Sequence, residues 1–182
     1  MEYLWYSIFY SVLGYGLEKL FAAATGAKHR LRRCFVLLPL CPVYGLAMLA
    51  VLLLGAQSLP GAWEQFLLGA FAATVVEYAV HWGYEKVFAV QFWDYSHTRC
   101  DVNGRICLPF SLCWGLLAML AVRYVQPLLA RLVAALPEAI LPPVLFFIAL
   151  DGIFTARVLL LTHDIDALTP RALLRTLKRR TA

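Results

Sequence analysis

Charged residues are scarce in this sequence. Only 15% of the 182 residues are Asp, Glu, Lys or Arg, whereas soluble domains contain about 25%. In contrast, 62% of the residues are hydrophobic, and a soluble fold of this size could not bury that much apolar surface. The composition therefore excludes an ordinary soluble domain and predicts an integral membrane protein.

The signatures of several enzyme classes are also missing. The sequence has no Walker A loop, no G-x-S-x-G and no H-E-x-x-H motif, which excludes ATP hydrolysis by this chain and leaves hydrolase chemistry without support. The five cysteines form no C-x-x-C pair, and their spacings fit no familiar zinc or redox pattern. We interpret the cysteines as small apolar packing residues and predict no metal and no cofactor.

Five apolar runs are present, at about 3–24, 35–56, 63–88, 106–126 and 140–162. Crossing a hydrocarbon core of about 30 Å takes roughly 20 apolar residues in a helix. Each run is long enough, and none shows the alternation of a membrane β-strand. We therefore predict an all-α protein with about five transmembrane helices in a single domain, residues 1–162, followed by a basic cytoplasmic tail, residues 163–182.

The basic residues predict how the chain is oriented. Most of the 16 Lys and Arg residues fall after the first run, after the third run and from the end of the fifth run onward. Such residues stay on the cytoplasmic side, so we expect the amino terminus outside and the carboxyl terminus inside. The net charge of +5 is then explained by basic residues beside the spans, which attract anionic lipid headgroups. We therefore expect no nucleic-acid partner.

Two stretches of the sequence are repeated. The letters GLEKLF at 16–21 return as GYEKVF at 83–88, and AMLAV occurs at both 47–51 and 118–122. We interpret these matches as a duplicated two-helix hairpin, with copies at about 3–56 and 63–127 and an added fifth helix at 140–162. Because each copy holds two spans, the copies are expected to share one orientation, as a parallel repeat.

A stripe of ionisable residues lies in the third run. Glu77, His81 and Glu85 are four residues apart, which places them along one helical face. Charged groups within spans are costly and usually face the bundle interior. The stripe is therefore a candidate lining for a cation or proton path. Alternatively, Glu77 is a single protonated or hydrogen-bonded residue that locks helix packing.

Three further charged residues are candidates for the same path. Asp151 lies inside the fifth run and needs a partner, for which Arg105 or His81 are the candidates. Glu18 lies near the cytoplasmic end of the first run, and is either part of the path or an anchor at the interface.

The loop after the third run is the densest group of polar and aromatic residues in the chain. Trp and Tyr prefer the membrane interface, and Asn-Gly is a turn signal. The loop either holds a phosphate, an amine or a neighbouring subunit, or is a well-ordered turn. Its residues of interest are Trp93, Asp94, Tyr95, Ser96, His97, Asp101, Asn103 and Arg105.

The sequence is similar to a bacterial membrane family, the putative ABC-transporter type IV, CmpB-like permeases. The resemblance covers about residues 3–162 and implies a permease subunit in the bacterial cytoplasmic membrane. The motifs that carry it are Gly14-x-x-x-Glu18, Pro39-x-x-Pro42-x-Tyr44-Gly45, Glu77-Tyr78, Trp93-Asp94-Tyr95-Ser96, Asn103-Gly104-Arg105-Ile106-Cys107 and Trp114-Gly115.

These observations lead to a first hypothesis, a permease or transporter subunit for an unknown small solute or ion. Five helices enclose little volume, so a homodimer is expected to form the channel, and a separate nucleotide-binding subunit would supply any ATP hydrolysis. The alternative is a lipid-headgroup-binding protein or lipid-modifying enzyme, with Asp94, His97, Asp101 and Arg105 around a headgroup. A scaffold protein is the third possibility. Enzymatic activity is left open, with none as the favoured interpretation.

Overall fold

The fold is an assembly of α-helices with one small β-ribbon. A computed structural model describes residues 1–26 and 33–169, so most of the predicted basic tail lies outside the described residues. The main helices are α1 (Glu2–Thr25), α2 (Pro42–Leu53), α3 (Ala62–Phe88), α4 (Leu108–Leu120), α5 (Gln126–Ala134) and α6 (Leu141–Thr162). The ribbon consists of β1 (Asp101–Val102) and β2 (Ile106–Cys107), which pair antiparallel. The predicted all-α class is confirmed.

Within the described part of the chain, three helices are long and apolar enough to cross a membrane. They are Ala62–Phe88, Leu108–Ala134 and Glu138–Thr162, while Pro42–Leu53 is a shorter apolar helix. The second of the three joins α4 to α5 through a five-residue π-helical segment, Ala121–Val125. These helices are those of a membrane protein. The predicted five spans, their orientation and the duplication stay predictions.

The second predicted span is not a continuous helix. Residues 33–41, here called the strap, are non-helical, and helix α2 begins only at Pro42. Proline at the first helical position has no N–H to leave unpaired, and residues that precede a proline avoid the helical region. Helix α2 therefore cannot extend toward the amino terminus past Pro42 and Pro39. The expectation of one helix over 35–56 is wrong.

The strap's backbone is hydrogen-bonded to side chains of α6. The amide of Val36 donates to Thr155 Oγ1 over 3.1 Å, and the amides of Leu37 and Leu38 donate to the Asp151 carboxylate at 2.7–3.2 Å. Non-helical backbone within a membrane is tolerated only where its polar groups are satisfied inside the protein or by enclosed water. Asp151 and Thr155, both buried, supply acceptors that the missing helical turns would otherwise provide.

Small residues allow the helices to approach closely within each hairpin. Gly45 of α2 lies against Ser7 and Ser11 of α1, and Gly115 of α4 lies against Ala70 and Phe66 of α3. Any Cβ atom at either glycine would meet the facing backbone or side chain.

The glycine contacts also bear on how the two hairpins compare. Ser11 and Ala70, which face the two glycines, are 59 positions apart, whereas the repeated letters in α1 and α3 are 67 apart. An alignment based on these packing contacts therefore matches Glu18 with Glu77. The repeated letters instead match Glu18 with Glu85.

We predict opposite effects for two glycine-to-alanine changes. Gly45→Ala places a methyl group against the Ser7 carbonyl and the Ser11 hydroxyl, and overpacking of this kind typically costs about 1–3 kcal/mol. Gly83→Ala meets nothing within 4 Å and gains up to about 1 kcal/mol because alanine favours the helix. Thermal unfolding in detergent should show a lower midpoint for the first variant and an equal or higher one for the second. A Gly45→Ala protein as stable as the parent would contradict this packing.

Candidate functional site

The ionisable stripe on α3 and the loop that follows α3 form one polar cluster. Glu77 and His81 are each only 3% exposed, and the Glu85 side chain is 33% exposed. All three face the loop between α3 and α4. The structure therefore brings together two sets of residues that the sequence singled out separately.

Glu77 is the deepest member of the cluster. The Tyr95 hydroxyl donates a hydrogen bond to its Oε1 over 3.1 Å, and burial raises the pKa of Tyr95 above its usual value, which keeps this phenol a donor. The other carboxylate oxygen, Oε2, accepts no well-aligned hydrogen bond among the described residues, although the Trp114 side chain of α4 lies close enough to interact with the carboxylate. Two more buried atoms of α3 have no hydrogen-bond partner there, Thr74 Oγ1 and His81 Nδ1. Three buried polar atoms with unused bonding capacity thus lie on the same stretch of α3.

His81 and Glu85 contact different residues of the loop, and His81 Nδ1 lies 3.9 Å from a Glu85 carboxylate oxygen. His81 Nε2 lies 2.9 Å from the Trp93 carbonyl oxygen, and because a carbonyl can only accept, Nε2 carries the proton. The Glu85 carboxylate accepts from two nitrogens of Arg105, at 2.6 and 3.1 Å. This hydrogen bond raises the pKa of Arg105 further above its usual value, so the guanidinium stays charged. The Arg105 guanidinium also lies over the Tyr78 ring, 5.3 Å from its centroid.

A tight turn positions Arg105. Asn103 and Gly104 both have positive φ, 55° and 68°, as a type I′ turn requires, and Asn-Gly is the preferred pair for it. The Arg105 amide closes the turn by donating to the Val102 carbonyl over 3.1 Å, and the Gly104 amide donates to the Asp101 carboxylate over 2.8 Å. The Asn-Gly signal in the sequence thus marks a real turn.

The remaining loop residues bond mainly to the loop itself. Asp94 accepts from the amide and the hydroxyl of Ser96, at 2.8 and 3.0 Å, and these hydrogen bonds lower the pKa of its carboxyl group. The Trp93 indole N–H donates to the Arg105 carbonyl over 2.8 Å. Asn103 donates to the Tyr78 hydroxyl over 3.1 Å. His97 is exposed on the surface of the loop.

A second carboxylate and aromatic pair lies in the first hairpin. The Tyr44 hydroxyl of α2 donates to Glu18 Oε1 of α1 over 2.8 Å. Trp114 of α4 packs on Tyr44 with ring centroids 4.8 Å apart, while Phe110 of the same helix stacks on Tyr95 at 4.8 Å. Aromatic rings of α4 therefore connect the Glu18 pair to the Glu77 pair.

Asp151 does not belong to this cluster. It was expected near Arg105 or His81, but it accepts hydrogen bonds from the strap amides of Leu37 and Leu38, and Arg105 pairs with Glu85 instead. That expected pairing is wrong because the strap, and not the loop, passes along this face of α6.

The sequence alone did not reveal the roles of two tyrosine hydroxyl groups that bond to the candidate residues. Tyr44 and Tyr78 lie within the quoted motifs but were given no function. Their signal is a tyrosine within or beside an apolar run, since a buried Tyr hydroxyl usually finds a hydrogen-bond partner.

No candidate metal centre is present in residues 1–26 and 33–169, where no three His, Cys, Asp or Glu side chains are grouped to hold an ion.

The fold and the cluster define a helical membrane protein with buried carboxylates inside its bundle. The chain belongs to the family described as putative ABC-transporter type IV, whose model matches residues 5–158. This confirms the resemblance noted in the sequence, and the family together with the apolar helices makes the chain a membrane transporter-type protein. No match was found among curated proteins or among solved structures.

The ion pair between Glu85 and Arg105 is predicted to hold the loop on α3. Gln cannot form this ion pair, so Glu85→Gln should increase tryptic cleavage after the exposed loop residue Arg99 up to about fivefold. The increase should be smaller at high salt because salt screens the pair. Gel analysis of the cleavage rate measures this. Arg123→Ala, which breaks contacts to Gln65 and Pro60 away from the loop, is the matched control, and equal cleavage rates for Glu85→Gln and the parent would refute the prediction.

Proposed function

We propose that this chain is a permease subunit of the bacterial cytoplasmic membrane, and that a small cation or proton passes Glu77. The observation that carries the proposal is the buried carboxylate of Glu77, 3% exposed. One oxygen is hydrogen-bonded to Tyr95, while the other accepts no well-aligned hydrogen bond among the described residues and has the Trp114 side chain nearby. A carboxylate in a span costs about 2.5–3.5 kcal/mol on insertion scales, and such residues mark ion pathways and proton relays.

A purely structural role explains Glu77 less well. A residue kept only to lock helix packing is expected to have both carboxylate oxygens satisfied, because a buried unpaired polar atom costs about 1–3 kcal/mol. Asp151 shows what such a residue looks like here, since its two oxygens accept from the strap and from Thr155. Glu77 differs in having bonding capacity left over.

A second pair of buried polar residues lies nearer the start of α1. The Tyr10 hydroxyl donates to Gln126 Oε1 over 3.0 Å, and both residues are buried. Tyr10 lies eight residues before Glu18, about 12 Å along the helix at 1.5 Å per residue. We infer that the proposed cation or proton path runs from the carboxylates of Glu18 and Glu77 to the buried Tyr10 and Gln126 pair.

The assembly around the route is part of the same proposal. One chain encloses little volume, so a homodimer would widen the path. A separate nucleotide-binding subunit would supply any ATP hydrolysis, because this sequence has no Walker A loop. Flux down an existing gradient needs only this chain. Anionic lipid headgroups are the expected partners of the basic segments.

The lipid-headgroup alternative finds less support in the loop. A headgroup site needs charged groups that are free to converge on a ligand. Arg105 is instead paired with Glu85, Asp94 is bonded to Ser96, and the Asp101 carboxylate caps the turn at Gly104. These contacts favour a loop that covers the polar face of α3.

The test is cation and proton flux through proteoliposomes containing the purified chain. Vesicles loaded with a pH-sensitive dye are given a gradient of Na⁺, K⁺ or methylammonium. Glu77→Gln should lower the flux about tenfold or more, equivalent to about 1.4 kcal/mol in the barrier, because the neutral amide lacks the charge that attracts a cation and cannot take up or release a proton at neutral pH. Glu138→Gln, an exposed glutamate at the start of the last apolar helix, should leave the flux unchanged.

Two results would contradict this proposal. One is a Glu77→Gln protein with the flux of the parent. The other is a folded parent protein that dissipates none of these gradients. Intrinsic Tyr and Trp fluorescence and size-exclusion profiles of each variant establish that a lost flux is not lost folding.

A further inference from the structure

Two cysteine thiols meet at the ends of the strap. The Sγ atoms of Cys34 and Cys41 lie 3.4 Å apart, although the residues are seven positions apart in sequence. Cys34 is partly exposed, while Cys41 is 5% exposed and forms the amino-terminal cap of α2. The spacing of the two cysteines shows no known pairing motif, so only the path of the strap reveals the pair.

Contacts with two other helices hold this pair in place. The Cys41 amide donates to the Ser11 carbonyl of α1 over 2.9 Å. On the other side, the Val36 amide donates to Thr155 of α6 over 3.1 Å, and Arg33 donates to the Val36 carbonyl over 2.9 Å. The thiols are therefore brought together by the fold and not by chance proximity along an extended chain.

The two thiols have different environments, which suits different roles. Cys34 is partly exposed, so a small molecule can reach its thiol. Cys41 is shielded, and Cys34 is its sulfur neighbour. An accessible attacking cysteine beside a resolving cysteine is the arrangement of redox-sensitive thiol pairs.

We propose that Cys34 and Cys41 form a thiol–disulfide modification site for a low-molecular-weight disulfide such as oxidised glutathione. The Cys34 thiolate attacks one sulfur of the small disulfide, forming a mixed disulfide and releasing one thiolate. The Cys41 sulfur, after losing its proton, then attacks Cys34 Sγ, forms the Cys34–Cys41 bond and releases the second thiolate. The two cysteines are oxidised, and one small disulfide is reduced to two thiols.

The bridge would act on the strap. It closes the segment that begins at Cys34, passes the Asp151 contact at Leu37 and ends at the start of α2. Tyr44, the partner of Glu18, lies three residues further on. In a reducing cytoplasm the pair stays as thiols, so the bond would form under oxidative conditions and be reversed by thiol exchange. This inference does not rest on the proposed transport activity.

The experiment counts free thiols in the full chain, purified in detergent, with the exposed Cys100 and Cys113 changed to serine. After incubation with oxidised glutathione, the protein is acid-quenched, unfolded and alkylated with a maleimide, and the intact mass is measured. Before oxidation, three thiols should be alkylated. After oxidation, one thiol should remain, Cys107, so the intact mass should equal that of the unmodified chain minus two hydrogens plus one maleimide, with no glutathione attached.

Single substitutions in the same background test the two roles. With Cys41→Ser, the mixed disulfide has no resolving thiol, so one glutathione should be trapped on Cys34. With Cys34→Ser, the shielded Cys41 should stay free and take up no glutathione. Three alkylated thiols after oxidation of the parent background, stable glutathione adducts in place of the bridge, or trapping by Cys34→Ser instead of Cys41→Ser would each overturn the proposal.

Discussion

The contact between the Asp151 carboxylate and the strap amides is the interaction on which the rest of this structure depends. An apolar run broken by two prolines leaves backbone N–H groups that no helix can satisfy. In a bundle without bulk water, each would cost several kcal/mol. Asp151, 4% exposed, accepts from Leu37 and Leu38, and the same contact ties α6 to the rest of the bundle.

The placement of the strap in turn determines the polar interior. Because α2 begins at Pro42, Tyr44 lies in its first turn and reaches Glu18 on α1. The second hairpin arrives at a similar solution by another route, since Tyr95 comes from the loop and reaches Glu77. In both cases an aromatic hydroxyl donates a hydrogen bond to a carboxylate, which is partly buried at Glu18 and buried at Glu77. The difference is that the Glu77 pair is covered by the loop, which is held in turn by Glu85 and Arg105.

Much of this arrangement follows from the sequence. Low charge and long apolar runs are enough to predict a helical membrane protein, and the spacing of Glu77, His81 and Glu85 predicts one helical face. The loop motif and its Asn-Gly turn were also recognisable, because a type I′ turn has a strong local preference for these residues. The quoted motifs were sufficient to identify the family.

The partners of the charged residues could not be predicted in the same way. The Asp151 carboxylate needs hydrogen-bond donors somewhere in the fold. Which backbone amides donate to it depends on how α6 packs, and that is a long-range property. The two prolines, Pro39 and Pro42, signal a break in the helix. The hydropathy of the segment does not show this break, because Leu, Val and Cys keep the run apolar. The contact between Cys34 and Cys41 is likewise a consequence of the strap's path and has no signature in their spacing.

The most direct measurement of the central claim is hydrogen exchange at the amides of Leu37 and Leu38, by mass spectrometry of the strap peptide in detergent. Replacing Asp151 with Asn keeps the size and one acceptor oxygen but removes the charge, and Asp151→Ala removes both acceptors. Since hydrogen bonds to charged groups contribute about 1.5–3 kcal/mol, exchange should accelerate about tenfold or more in Asp151→Asn and further in Asp151→Ala, while α3 amides stay protected. Unchanged exchange of the strap in both variants would contradict the account.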